Sequence, residues 1–227
     1  MPRPFPRVDG VETMELVVEL VHADHRVMFE LLAATGVRRS ELLAFEVRHL
    51  HLSGDTPHVK VRQRARWLKG QGQVIGAVKS RHARRDLPIP VALTDKLAKH
   101  IAGKPEGAFV FAGPLGRPYD PAHLDARVLA PACEEAGVEW AGFHTFRHTI
   151  ATRMFAAGRN AAGRNAVQVQ HWLGHHSAAF TLATYVHLLD GDLGGPMEPR
   201  GVVTKVVTGP TPFDDIREMA VAAESPS

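Results

Sequence analysis

Three short segments of the 227-residue chain carry cationic side chains at spacings that gather them, and the chemistry those types share is the holding of an anion. In "TGVRRSEL", Gly36 breaks one helix and Arg38 opens the next, where a guanidinium and free amide groups can face one anion. Glu41 follows three residues on, within reach to orient that guanidinium. In "FHTFRHTIATRM", His144, Arg147 and His148 fall at i, i+3 and i+4 and share one helix face, with Phe146, Ile150 and Met154 pointing elsewhere. Two imidazoles flanking a guanidinium are expensive to bury unless an anion completes the cluster. In "LGHHSAAFTLATYVHLL", His175 sits on a glycine turn and Tyr185, one of two tyrosines, comes ten residues later. Taken singly, each segment has a plainer reading: a surface arginine, a satisfied surface cluster, a core tyrosine. His171, His175 and His176 offer HxxxH metal spacing, but no glutamate follows the first histidine and Cys133 is isolated, so no metal site is expected.

Between Asp55 and Asp86 there is no carboxylate, while Lys60, Arg62, Arg64, Arg66, Lys69, Lys79, Arg81, Arg84 and Arg85 all lie there. A patch of one sign repels itself and is relieved by a polyanion; the alternative is a solvated hairpin kept soluble by its long side chains. The net charge of +3 leans the same way.

The elements that must position these groups can be read from periodicity. From Val11 the residues Leu16, Leu20, Val27, Met28, Leu31 and Leu32 recur at helical spacing, predicting one helix ended by Thr35-Gly36, and SELLAFEV starts another. "HVKVRQRARWL" alternates as a strand, with Lys60, Arg62, Arg64 and Arg66 on one face and Val59, Val61, Ala65 and Trp67 on the other; a KGQGQ turn leads to a partner strand through Val78. Asp120-Pro121 is an N-cap and first residue for a helix closing near Gly137 with a kink at Pro131. A further helix runs from about Thr145 to Gly158, and AVQVQHWL and AFTLATYVHLL form short ones. "AAGRN" occurs twice, at 156–160 and 161–165. Inside a helix five extra residues would rotate every later side chain by about 140°, so the duplication belongs in a loop.

Residues 1–10, with prolines at 2, 4 and 6, form an irregular arm, and 11–190 the main domain. The tail 191–227 changes to glycine- and proline-rich composition, with GVVTKVVTG as a lone strand and PFDDIREMAVAA as a short helix; it frays or docks on a neighbour. An apolar fraction of 44%, a charged fraction of 22%, one cysteine and no signal core at MPRPFPRV read as a soluble protein of a reducing compartment.

TG-x-R-x-SEL, a lysine in a basic hairpin, H-x-x-RH, LGH, then Y-x-H ten residues on: in that order and register over roughly residues 11 to 190, the set resembles the catalytic domain of the tyrosine recombinases, the phage-integrase family. The resemblance implies a mainly α (α+β) fold, a compact helical catalytic domain with a small antiparallel β-hairpin. It implies that Arg38, Lys79, His144, Arg147 and His175 surround a scissile phosphate with Tyr185 as nucleophile, and that Glu41 and His148 support them. Lys79, in "GAVKSRHARRDLPIP", is the hairpin lysine because it precedes the arginine and the exit strand. Lys60, Arg62, Arg64, Arg66, Arg81, Arg84 and Arg85 are then contacts to double-stranded DNA. The implied reaction is strand cleavage and rejoining through a 3′-phosphotyrosyl ester, without cofactor, by a homo-oligomer (a tetramer on DNA) in the cytoplasm at the nucleoid, with no membrane partner. The alternatives are a type IB topoisomerase-like nicking and resealing enzyme and a DNA-binding module that does not cut. Members of that family carry a separate helical domain before this one; no stretch here is long enough to be it, so the expectation is a fragment, a truncated gene product, or a protein dependent on a separate clamping domain or accessory protein. The duplication, between Arg147 and His175, raises the question of whether the two halves of the site still meet.

Overall fold

The apolar pattern that opens the chain is interrupted where a polar side chain can restart a helix. A computed structural model describes residues 10–68, 72–156 and 165–185, and in it α1 (Gly10–Leu20) and α2 (Ala23–Thr35) replace the single expected helix. His22 takes an extended backbone and its ring accepts from the Asp24 amide at 3.3 Å, capping α2. Both helices face the same core through Met14, Val17 and Val18 of α1 and Met28, Phe29 and Leu32 of α2.

Gly36 ends α2 with φ of 62° and donates to Leu32 O at 2.8 Å. A side chain there would be strained by φ and would meet Ile150 Cβ at 3.2 Å, so glycine serves both the stop and the close approach of a later helix. The next helix is only one turn, α3 (Arg39–Leu42). Leu42, Leu43, Ala44 and Phe45 are all buried, a consecutive run that no helix face accommodates, and the chain straightens so that Phe45 O accepts from Val110 N at 2.8 Å.

The basic strand is divided. β1 (Leu50–His51), β2 (His58–Val61) and β5 (Arg85–Pro88) form one antiparallel sheet in the order β1-β2-β5. β3 (Gln63–Leu68) and β4 (Gly72–Ala77) form a separate hairpin. The switch occurs at Arg62, whose guanidinium bonds Val61 O and Arg85 O and pairs with Asp86. Val59 and Val61 are fully buried, but Trp67 on the same expected apolar face is 63% exposed: it belongs to the separate two-stranded hairpin and not to the sheet that holds the valines.

After β5, α4 (Val91–Ile101) packs Leu93 and Leu97 inward, an i, i+4 pair whose polar neighbours hide the helical period. The Asp120 cap holds: its carboxylate accepts from Ala122 N at 2.7 Å and His123 N at 3.0 Å, with Pro121 opening α5 (Pro121–Leu124). Where a kink at Pro131 was expected, a π-helical turn over Asp125–Leu129 precedes α6 (Ala130–Glu135). Proline cannot donate and crowds the carbonyl four residues back, and the widened turn relieves both. Gly137 ends this unit with φ of 70°, as expected.

Then α7 (Phe143–Ala156) starts two residues before the predicted Thr145, whose hydroxyl accepts from Gly142 N at 3.0 Å. Phe29 of α2 meets Phe143 and Phe146 of α7 at ring separations of 5.4 and 5.9 Å. α8 (Ala166–Leu173) opens on a capping box: Asn165, last residue of the second AAGRN, accepts from Gln168 N while Gln168 accepts from Asn165 N. Gly174 closes α8 with φ of 66°, and α9 (Ala178–Tyr185) comes next. Residues 69–71 of the KGQGQ turn, residues 157–164 of the duplication with Gly158 among them, residues 1–9 of the N-terminal arm and everything from Val186 on lie outside the described residues. Among the described residues no helix is long and apolar enough to cross a membrane.

Candidate active site

Two helix ends and one helix face supply the framework. The turn after α2 presents Arg38, the face of α7 presents His144, Arg147 and His148, and the turn after α8 presents His175. Helix C-termini leave carbonyls without intrahelical donors, and here guanidiniums meet them. Arg147 is buried at 3% exposure and donates to Gly36 O at 3.0 Å and to Leu173 O. Arg38 donates to Gly174 O at 3.3 Å. The two arginines therefore stand on adjacent carbonyls of one turn, with His175 next in the chain. The two halves of the site that flank the AAGRN duplication do meet.

Glu41 is the counterweight. Its carboxylate, 2% exposed, accepts from Arg38 N and Arg38 Nη1, both at 3.0 Å, and from Arg85 Nη2 at 2.8 Å and Nη1 at 3.3 Å. Burial alone would raise its pKa, but Arg85 and then Arg38 outweigh that and hold it below the ordinary carboxylate value. The expectation for Glu41 located the right partner in Arg38 and missed the stronger one. Arg85 was grouped with the DNA contacts. Instead it is buried, with Nε on Trp172 O at 2.7 Å and Nη1 on Ala83 O at 2.9 Å besides its pair with Glu41. That fork is directed at the protein's own interior, where it braces β5, α3 and the end of α8 against one another.

A cleft of about 540 Å³ lies over this framework, lined by Arg38, Arg64, Lys79, Ser80, Gly174, His175, His176 and Phe180. Lys79 is exposed at its rim. Arg64 reaches the same cleft, and its Nε is buried without a hydrogen-bond partner among the described residues. His175 is 7% exposed, and its Nδ1 lies 2.8 Å from Thr181 Oγ1. Burial first, then Arg147, Arg38, Arg85 and His148, push its pKa down to about 3, so the ring is neutral at physiological pH. His144 is exposed at its outer edge, yet partial desolvation and then Arg147, Arg38 and Arg39 hold it below the ordinary histidine value. The His148 ring stands edge-on to it at 6.1 Å. Tyr185 ends α9, the helix whose Phe180 lines the cleft; its side chain lies outside the described residues.

The other expected DNA contacts divide by surroundings. Arg66, Arg81 and Arg84 are exposed, Lys60 is half-buried, and Arg62 is spent on Asp86. A second cleft of about 710 Å³ is lined by Arg81, Arg84, His171 and Trp172. Spacing did not single out Arg39, which lies over the Phe143 ring at 5.4 Å, or Thr181. Nothing in the sequence near either marks it; their partners come from distant or non-periodic positions.

Within a helical scaffold that carries a small antiparallel hairpin, Arg38 lines a cleft together with the cationic Arg64 and Lys79, and the buried Arg147 stands beside it on the adjacent carbonyl of the same turn. The Phage integrase family model matches residues 11–191, and the chain belongs to that family. It is 26% identical over 187 residues to a tyrosine recombinase XerC-like protein of Caldanaerobacter subterraneus subsp. tengcongensis, covering 72% of this chain and 46% of that one. It is 32% identical over 132 residues to an integrase of Saccharopolyspora erythraea, covering 53% of this chain and 29% of that one. The chain thus spans half or less of the length of these curated relatives. Among solved structures, the Tn1549 transposon integrase in complex with transposon right end DNA superposes with a TM-score of 0.66 at 18% identity, covering 98% of this chain and 67% of that one. A XerA recombinase gives a TM-score of 0.59 at 18% identity, covering 100% of this chain and 67% of that one. These likenesses establish the fold, mainly helical with small antiparallel sheets.

Proposed function

We propose that this chain performs site-specific DNA recombination or integration, cutting and rejoining strands through a 3′-phosphotyrosyl intermediate. The observation that carries the reading is that Arg38 and Arg147 stand on the neighbouring carbonyls of Gly174 and Leu173, next in the chain to His175, while Arg38, His175 and Lys79 line one cleft. A phosphodiester gains charge on its non-bridging oxygens as it is attacked. Planar guanidiniums oppose that charge bidentately, and removing one such preorganised donor costs on the order of 2.7–4 kcal/mol.

In this reading the Tyr185 phenolic oxygen attacks phosphorus and its proton passes to His144. That ring is kept neutral by its surroundings and so is able to accept. The bond to the 5′ oxygen breaks, Lys79 protonates that oxygen, and the phosphate stays on tyrosine as an ester. Attack by a 5′-hydroxyl reverses these steps and releases the enzyme, so the energy of the cut strand is conserved in the ester. His175 hydrogen-bonds a phosphate oxygen, and Glu41 holds Arg38 in place. Lys60, Arg64, Arg66, Arg81 and Arg84 supply sequence-independent affinity for double-stranded DNA. A homo-oligomer, a tetramer on DNA, acting at the nucleoid in the cytoplasm completes the proposal, with a clamping domain or accessory protein on the opposite DNA face.

The test is a nicked suicide duplex incubated with the protein and then denatured. A covalent protein–DNA adduct is expected, lost in Tyr185→Phe and insensitive to EDTA. Binding without an adduct would leave a DNA-binding module in place of the enzyme.

A further inference from the structure

We propose that Thr181 is a positioning residue that selects the Nε2–H tautomer of His175, so that the ring offers a proton rather than a lone pair to an anion in the cleft. The nature of that anion rests on the recombinase reading; the tautomer does not. Thr181 is fully buried, and its hydroxyl has one proton and two possible receivers: His175 Nδ1 at 2.8 Å and Ser177 O at 3.2 Å. Ser177 O already accepts from the Thr181 amide at 3.3 Å, so it loses little if the hydroxyl turns away. The ring nitrogen has no other polar partner among the described residues. A hydrogen bond donated by the hydroxyl to the Nδ1 lone pair leaves the single N–H proton of the neutral imidazole on Nε2, the nitrogen left to the cleft that His175 lines.

The alternative orientation sends the hydroxyl proton to Ser177 O and makes Nδ1 the donor. Nε2 would then carry a lone pair, and a lone pair repels a phosphate oxygen. Protonating both nitrogens is no escape. Burial and the surrounding cations Arg147, Arg38 and Arg85 oppose an imidazolium there. For a ring that must stay neutral, the tautomer is the only means of supplying a donor, and Thr181 is the group that sets it. The remaining restraints fix position but not protons: Phe180 stands edge-on at 5.1 Å, and the backbone of His175 exchanges hydrogen bonds with Gln170.

Nitrogen-15 NMR of the free, histidine-labelled protein reads the tautomer directly, and single-turnover cleavage of the suicide duplex reads its consequence. Wild type and Thr181→Ser are expected to show Nε2–H. Thr181→Val is expected to shift His175 towards Nδ1–H and to slow cleavage by about 10²-fold, with DNA affinity unchanged. An Nδ1–H ring in the wild type, or an unshifted ring and unchanged rate in Thr181→Val, would overturn the proposal. If Thr181→Val does not fold, the wild-type and Thr181→Ser spectra still decide. A wild type that binds DNA and never cuts would remove the recombinase reading, while the spectrum of the free protein would judge the tautomer separately.

Discussion

Under the proposed function Arg147 has two jobs that usually belong to different side chains. It would serve the phosphate, yet it is buried and stands on the carbonyls of Gly36 and Leu173. Arg147→Ala is therefore expected to abolish the covalent adduct and also to destabilise the fold. Two buried carbonyls lose a charged donor, at about 1–3 kcal/mol for each group left unsatisfied. Urea unfolding measures the second effect, and an unchanged midpoint would mean that the carbonyls find other donors. Affinity for DNA should change little, because the exposed arginines supply most of it.

At the scale of elements, two consecutive arginines illustrate how a strand sorts like charges. Arg84 is exposed and Arg85 is buried against Glu41 and the Trp172 carbonyl, so neighbours in sequence serve the surface and the interior. Removing one partner of a buried ion pair costs about 3–5 kcal/mol. Arg85→Ala should lower stability by that order and loosen Arg38 through their shared carboxylate. Arg84→Ala should leave stability unchanged, weaken DNA binding across all sequences and reduce the slope of log affinity against log salt by about one. Paired chemical denaturation and salt titration of the two variants would separate them; equal behaviour would contradict the sorting.

The whole molecule carries an acid-side liability. His25, His49, His100, His144 and His175 all lie below the ordinary histidine value, each chiefly through burial. The unfolded chain therefore binds more protons than the folded one just below the ordinary histidine pKa, and stability rises with pH through that window. His175, at about 3, loses stability progressively as pH falls from the ordinary value, about 6.5, towards 3. Glu41 works at lower pH: its contribution is present above the ordinary carboxylate value and is lost only as pH falls through its lowered one. Unfolding free energy should thus fall between pH 7 and pH 5, before Glu41 titrates. His175→Asn should flatten that slope by about one proton, or about 1.4 kcal/mol per pH unit. A flat profile over that range in the wild type would count against buried neutral histidines.

Much of this arrangement is written in local patterns. Gly36 and Gly174 as helix stops, the shared face of His144 and Arg147, and the Asp120-Pro121 start all derive from short-range geometry that any copy of those residues would favour. What periodicity could not supply is what covers a given face. Alternation put Trp67 with Val59 and Val61, but a change of sheet at Arg62 left the tryptophan in solvent; charge alone put Arg85 with Arg84, but β5 turned it towards Glu41. The order of the site residues along the chain pointed to the family that the family model matches over residues 11–191. Only the folded structure decided which cations face the cleft and which brace it, because a side chain's role depends on partners more than a hundred residues away, as Arg38 on Gly174 and Arg147 on Gly36 demonstrate.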